Sequence, residues 1–183
     1  MITIVHQFDV NSEMHVGGID TWIADYLEFS KKPVCIVGVS DFVGMIPGKH
    51  KIHSIMVKKK KGKIPISVRF LINIVRNRKL LSNEIYAHRI DYVPFLRLLR
   101  PRAVITLFIH TDSKKQLTAK SDSFWRFLPS FYFLFERIAL FLSSRVFIYS
   151  ATDAYRIQQI NKSTLQVRSW YNDNVFKRLD STN

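Results

Sequence analysis

Histidines at the ends of apolar runs are the first residues of this chain that could do chemistry. Six occur in 183 residues, and four lie near strand-like ends: His6 and His15 around the first loop, His88 after Glu84-Ile85-Tyr86-Ala87, and His110 after Ala103 to Ile109. A polar side chain directly beyond a buried strand faces the crevice where open α/β sheets bind ligands. A histidine at a strand end is otherwise unremarkable, and both roles stay open for His88 and His110. No HxxxH or HExxH spacing links the histidines, so no metal and no other cofactor is expected. The single cysteine, Cys35, excludes a disulfide framework and a multi-cysteine metal cluster, and it fits a reducing compartment.

Two short loops add polar groups. Gly17-Gly18 precedes Ile19-Asp20 and a helical pattern. Paired glycines let a ligand reach the backbone without meeting a Cβ, and the N–H groups of a helix start favour an anion. Asp20 suits the first helical turn and is a candidate cap. The loop lacks both the GxGxxG spacing of a dinucleotide fold and the Lys-Ser/Thr of a P-loop. A tight turn into a helix is the plainer role. Ser150-Ala151-Thr152-Asp153 follows another apolar run, and Ser150 or Thr152 either caps the next helix or offers a hydroxyl to a ligand.

The fourth constellation is electrostatic. Lys58, Lys59, Lys60, Lys61 and Lys63 precede a helical pattern in which Arg69, Asn73, Arg76 and Asn77 share a polar face, opposite Phe70, Leu71, Ile74 and Val75. A basic amphipathic helix beside a lysine run suits a negatively charged membrane surface, and ordinary solvated surface is the alternative. Nucleic acid fits less well, because aromatics are not interleaved with the basic residues.

These residues need elements to hold them. Strand-like runs cover residues 2–8, 33–39, 52–57, 84–88, 103–109, 145–149 and 164–168. Helical patterns cover 18–30, 65–81, 92–100, 124–142 and 152–160, with loops over 40–51 and 110–123. The alternation predicts an α/β class: a Rossmann-like parallel sheet flanked by helices on both faces, in a single domain. The loops starting at Asp9, Ser40, Arg89, His110 and Ser150 then share one edge.

Charge is uneven along the chain. Of 28 basic and 14 acidic side chains, residues 58–115 hold 15 and 3, whereas residues 1–57 hold 4 and 6. The excess points to an anionic partner. The N-terminus has no basic region followed by a long apolar one and reads as a buried strand. Phe124 to Leu142 has the length of a bilayer span, but Pro129, Arg126, Glu136 and Arg137 interrupt it. A buried or interface-facing helix is expected there.

Taken in order, these features resemble the N-terminal domain of family-4 retaining glycosyltransferases of GT-B architecture. Gly17-Gly18-Ile19-Asp20 corresponds to that family's Gly-Gly-x-Glu loop, with Asp for Glu. Glu84 to His88 corresponds to its strand ending near a histidine. Val104 to His110 corresponds to its apolar strand ending in His, and Glu136-Arg137 followed by Arg145 to Ser150 to its acidic-Arg helix end and Ser-terminated strand. Tyr171 to Phe176 resembles its closing P-N-G-V-D segment without the Gly.

The resemblance implies that residues 1–183 form an acceptor-side domain, that Gly17 and Gly18 approach the donor diphosphate, and that His110 contacts the donor sugar near the reacting carbon as the catalytic candidate. His88 and Ser150 join it as substrate-binding candidates. It implies transfer from a nucleotide-sugar donor to a glycan or lipid-linked acceptor, with retention and without a bound metal, at the cytoplasmic face of the cell membrane. The donor-binding second domain, with its Glu-x7-Glu motif, is expected outside this chain, on a further domain or a separate subunit, so the chain alone is expected to be inactive. The competing expectation is a non-enzymatic basic α/β module binding an anionic membrane surface or nucleic acid through residues 58–79.

Overall fold

The computed structural model describes residues 1–9, 18–40, 52–58, 64, 66–110 and 129–167. Seven strands form one sheet: β1 (Ile2–Val5), β2 (Val34–Ser40), β3 (Ile52–Lys58), β4 (Glu84–Ala87), β5 (Val104–Ile109), β6 (Arg145–Ile148) and β7 (Thr164–Gln166). Their order is β3-β2-β1-β4-β5-β6-β7, and every pairing is parallel. The helices are α1 (Gly18–Phe29), α2 (Ile66–Arg76), α3 (Val93–Leu99), α4 (Pro129–Leu142) and α5 (Ala151–Ile160), with 3-10 turns at Arg78–Leu80 and Ile90–Tyr92. The expected α/β class, a Rossmann-like parallel sheet with helices on both faces, is what this chain adopts.

The helices divide unequally between the faces. Successive strand residues point to opposite sides. Val5, Val37, Ile85, Leu107 and Val146 share a core with Phe70 and Ile74 of α2, Leu96 of α3, Leu140 of α4 and Ile157 of α5. On the other side Ile2, Ile4 and Ile36 pack with Ile23 of α1. β2 is buried along its whole length, as the continuous apolar run at 33–39 implies for a strand covered on both faces. Cys35 lies inside it, and burial raises its thiol pKa to about 11, so it is an inert core residue.

Local chemistry sets the helix ends. The pattern at 65–81 reads as one helix, but α2 stops at Arg76, where the Asn77 amide donates to the Asn73 carbonyl at 2.9 Å and the chain tightens into a 3-10 turn. An asparagine side chain competes with the backbone ladder in this way. The last carbonyls of α4 are also satisfied from outside. Arg97 donates to Leu142 O at 2.7 Å, and the Asn161 amide donates to Leu140 O at 2.7 Å and Ser143 O at 3.0 Å. The first part of the helical pattern, 124–128, lies outside the described residues.

Candidate functional site at the carboxyl edge of the sheet

β1, β4, β5 and β6 are neighbours, and each is followed at once by a ring: His6, His88, His110 and Tyr149. Parallel register turns these four positions into a row along the carboxyl edge, on the face that α1 occupies. His6 and His88 meet edge to face at 5.7 Å, His88 and His110 stack at 5.1 Å, and His110 stacks on Tyr149 at 4.7 Å. Trp22 of α1 lies over the row, 4.9 Å from His88 and 4.7 Å from Phe108 between ring centres.

The polar wiring of the row is specific. His88 Nδ1 is 2.9 Å from His110 Nε2, while His88 Nε2 is buried without a partner. A bare buried lone pair costs less than an orphaned N–H. His88 therefore carries its proton on Nδ1 and donates to His110 Nε2. His110 in turn carries its proton on Nδ1 and remains a donor on that side. At the far end, His6 Nε2 faces Asp20 Oδ1 at 3.5 Å. Asp20 is thus the third residue of α1 rather than its cap, and its carboxylate holds the first strand's histidine.

Burial keeps the inner histidines uncharged. Desolvation, then the charges of His110 and His6, push His88 well below the usual imidazole range. Desolvation and then His6 lower His110 to about 4. Both are neutral at physiological pH, so this edge offers imidazole and phenol hydrogen-bonding groups on an aromatic platform rather than a positive charge. That chemistry suits hydroxyl groups. Burial raises the Tyr149 phenol and a hydrogen bond with Trp22 works the other way, so Tyr149 also stays protonated.

Of the candidates from sequence, His88 and His110 touch here, and Gly18 and Ser150 begin helices at the same edge. His88 is buried and His110 half-buried, side by side. Gly18 begins α1 two residues before Asp20, and a Cβ placed on it would meet nothing within 4 Å. Neither packing nor a left-handed backbone calls for glycine at that point. Ser150 holds the N-cap position of α5 next to Tyr149, yet its hydroxyl makes no capping bond. Gly17, Lys59, Lys60 and Lys61 lie outside the described residues, as do His15 and the segment Tyr171 to Phe176.

The basic candidates lie apart from the row. Arg69 and Arg76 are on α2, across the sheet from α1, and Arg69 Nη1 donates to the backbone carbonyl of Lys58 at 2.9 Å. Among the described residues no cluster of three or more His, Cys, Asp or Glu is arranged to hold a metal ion.

Sequence reasoning missed Trp22 and Tyr149 as part of the site. Tyr149 stands immediately after β6 as His110 stands after β5, and that positional equivalence is readable from the strand ends alone. Trp22 gave no such signal, because on a helix it reads as an apolar face. Below the row an open groove of about 470 Å³ runs along α1, lined by Trp22, Tyr26, Phe29, Tyr86, Phe108 and Phe147, with Lys31 and Lys32 at its other end. No protein-family model matches the chain, and no curated protein matches it.

Proposed function

We propose that this chain is the acceptor-side domain of a retaining glycosyltransferase that moves a sugar from a nucleotide-sugar donor to a glycan or lipid-linked acceptor at the inner face of the cell membrane. The observation that carries this proposal is the ring row His6–His88–His110–Tyr149 under Trp22, with His88 and His110 neutral, beside the unobstructed start of α1 at Gly18. A sugar presents many hydroxyl groups and an apolar ring face. Neutral imidazoles and a phenol supply donors and acceptors to the first, and an indole suits the second. The N–H groups at the start of α1 and the missing Cβ at Gly18 suit a diphosphate beside it. His110, fixed by His88 with its proton on Nδ1, is the residue that would donate to the transferred sugar. His88 is then a positioning residue.

On this proposal the nucleotide is held by a second domain, and the present chain binds its ligands weakly and does not turn them over. Titration of the isotope-labelled protein with UDP- and GDP-hexoses should shift the amide signals of Gly18 and His110 and the Trp22 indole signal. Gly18→Val should remove those shifts without loss of thermal stability, because its side chain meets only open space. Shifts that leave these three groups untouched, or robust multiple-turnover transfer by this chain alone, would refute the proposal. The alternative, a non-enzymatic anionic-surface module, gives the histidine row no task and predicts no response at Gly18, Trp22 or His110.

A further inference from the structure

The side of the molecule away from α1 carries a surface that the site does not use. α4 buries Tyr132, Glu136, Ala139 and Leu140, yet Phe131, Leu134, Ile138 and Phe141 point outward. Their spacing of three, four and three residues draws one continuous stripe along the helix. Phe141 is 80% exposed. α3 repeats the pattern with Phe95 and with Leu98, which is 78% exposed, and α2 repeats it with Val68, Ile72 and Val75.

The three helices are tied side by side. The Phe70 and Tyr92 rings meet at 5.0 Å, Arg100 donates to the Lys79 carbonyl at 2.9 Å, and Arg97 reaches Leu142 O at the end of α4. The last contact sets Leu98 and Phe141 at the same end of adjacent helices. Three outward apolar stripes on neighbouring helices exceed the scattered exposure of an ordinary surface.

Among the described residues the exposed charges of this face are mainly positive, and Asp91 in the Ile90–Tyr92 turn is paired with Arg89 at 2.8 Å. Arg76, Arg78, Lys79, Arg100, Arg102 and Arg137 stand on the three helices or in the turns directly after them. The only carboxylate in α2, α3, α4 and the Arg78–Leu80 turn is Glu136, which is buried against Arg156. A protein partner would ordinarily be met with charges of both signs around an apolar centre. A polyanion such as nucleic acid would use the cations and leave the apolar stripes unburied. Large apolar side chains framed by an excess of cations match an anionic bilayer, whose headgroups take the charges and whose acyl boundary takes the stripes.

We infer that the outer faces of α2, α3 and α4 form a platform that seats this domain on an anionic lipid surface, with α4 lying in the interface plane and Leu98 and Phe141 its deepest side chains. α4 spans 14 residues, about 21 Å at the helical rise, and no helix among the described residues is long and apolar enough to cross a membrane. The platform lies on the helices, not on the lysine run alone. It deepens the membrane placement proposed above and is independent of the sugar chemistry, since lipid binding is read without turnover.

The test is sedimentation of the full chain with vesicles of phosphatidylcholine alone and of phosphatidylcholine mixed with phosphatidylglycerol. The parent protein should partition into the mixed vesicles in preference to the neutral ones, and less so as salt rises. Leu98→Ser with Phe141→Ser should lower that partitioning about tenfold or more, with thermal unfolding unchanged because both sites are exposed. Arg76→Gln and Arg137→Gln should each lower it about fivefold at low salt.

A fluorophore sensitive to polarity supplies a second measure. Attached at Phe141→Cys it should shift to the blue on mixed vesicles. Attached at Glu28→Cys, on the exposed side of α1, it should not; Cys35 is buried and stays unlabelled. Partitioning that survives loss of Leu98 and Phe141 but not of the arginines would overturn the inference in favour of a polyanion site. A lipid-free dimer dissolved by the same double substitution would overturn it in favour of a second copy, and equal binding to neutral vesicles would defeat it as well.

Discussion

His88 and His110 sit where an imidazole is worth more neutral than charged, and that preference has a consequence for stability. In the unfolded chain both titrate near the ordinary value of about 6.5. In the folded protein burial holds His110 near 4 and His88 well below the usual range. Between those limits the unfolded state binds more protons than the folded one, so stability falls as pH drops. The slope is about 1.4 kcal/mol per pH unit for each histidine. Chemical denaturation at pH 6.5 and 5.5, above the main carboxylate range, should show this loss. His110→Gln, which keeps an acceptor for His88 Nδ1, should roughly halve it. A stability that does not change across that interval would contradict a buried, neutral His88 and His110. The same packing sets the cost of His110→Ala. His110 is not a free surface residue, because its removal orphans the buried His88 N–H and costs about 1–3 kcal/mol.

Between elements, the strongest polar tie joins α4 to α5. Glu136, 1% exposed, receives two hydrogen bonds from Arg156, at 2.6 and 3.1 Å, and Arg156 also contacts Asp153 at 3.2 Å. These carboxylates hold the Arg156 guanidinium firmly protonated. Arg156→Met removes the ion pair and both hydrogen bonds from the buried Glu136 carboxylate and should cost about 3–5 kcal/mol. Pairing it with Glu136→Leu should recover most of that loss, so equal destabilisation of the single and double variants in urea titrations would disprove the tie. The sequence shows Glu136-Arg137 as a neighbouring pair, but the true partner is 20 residues on. Periodicity records which residue faces inward and is silent on which helix meets it. The seven strands were legible because parallel strands buried on both faces form unbroken apolar runs, and Ala103 to Ile109 is the plainest of them. His88 and His110 were legible as strand-end residues, while their mutual hydrogen bond required the β4–β5 register. The outward stripe of α4 was hidden for another reason. A helix apolar on all sides has no periodic contrast to separate its inner from its outer face.

At the scale of the whole molecule, the strand order places the start of the chain in the middle of the sheet. β1 pairs with β2 on one side and with β4 on the other, where Thr3 meets Ile85 and Val5 meets Ala87. The histidine row is assembled across that second seam, since His6 belongs to one side and His88 and His110 to the other. The first half-sheet, β3-β2-β1, closes through nearby contacts, while the seam itself joins residues some eighty positions apart, a slow kind of pairing.

Vectorial synthesis gives that seam a timetable. A ribosome releases β1 early and β4 much later; at about 5–20 residues per second the interval is roughly 4–16 s. Throughout that time Ile2 to Val5 expose one unsatisfied edge, an apolar template for any other extended chain. Nascent chains stalled before Ala87 emerges should therefore be cut readily by protease near β1 and should recruit holding chaperones. Chains stalled after β5 has emerged should resist cleavage there. Equal resistance at both lengths would mean that the opening strand finds shelter before its neighbour is made. β1 thus keeps one open edge until β4 is made, and the ring row does not exist until β6 has been made and Tyr149 has followed it.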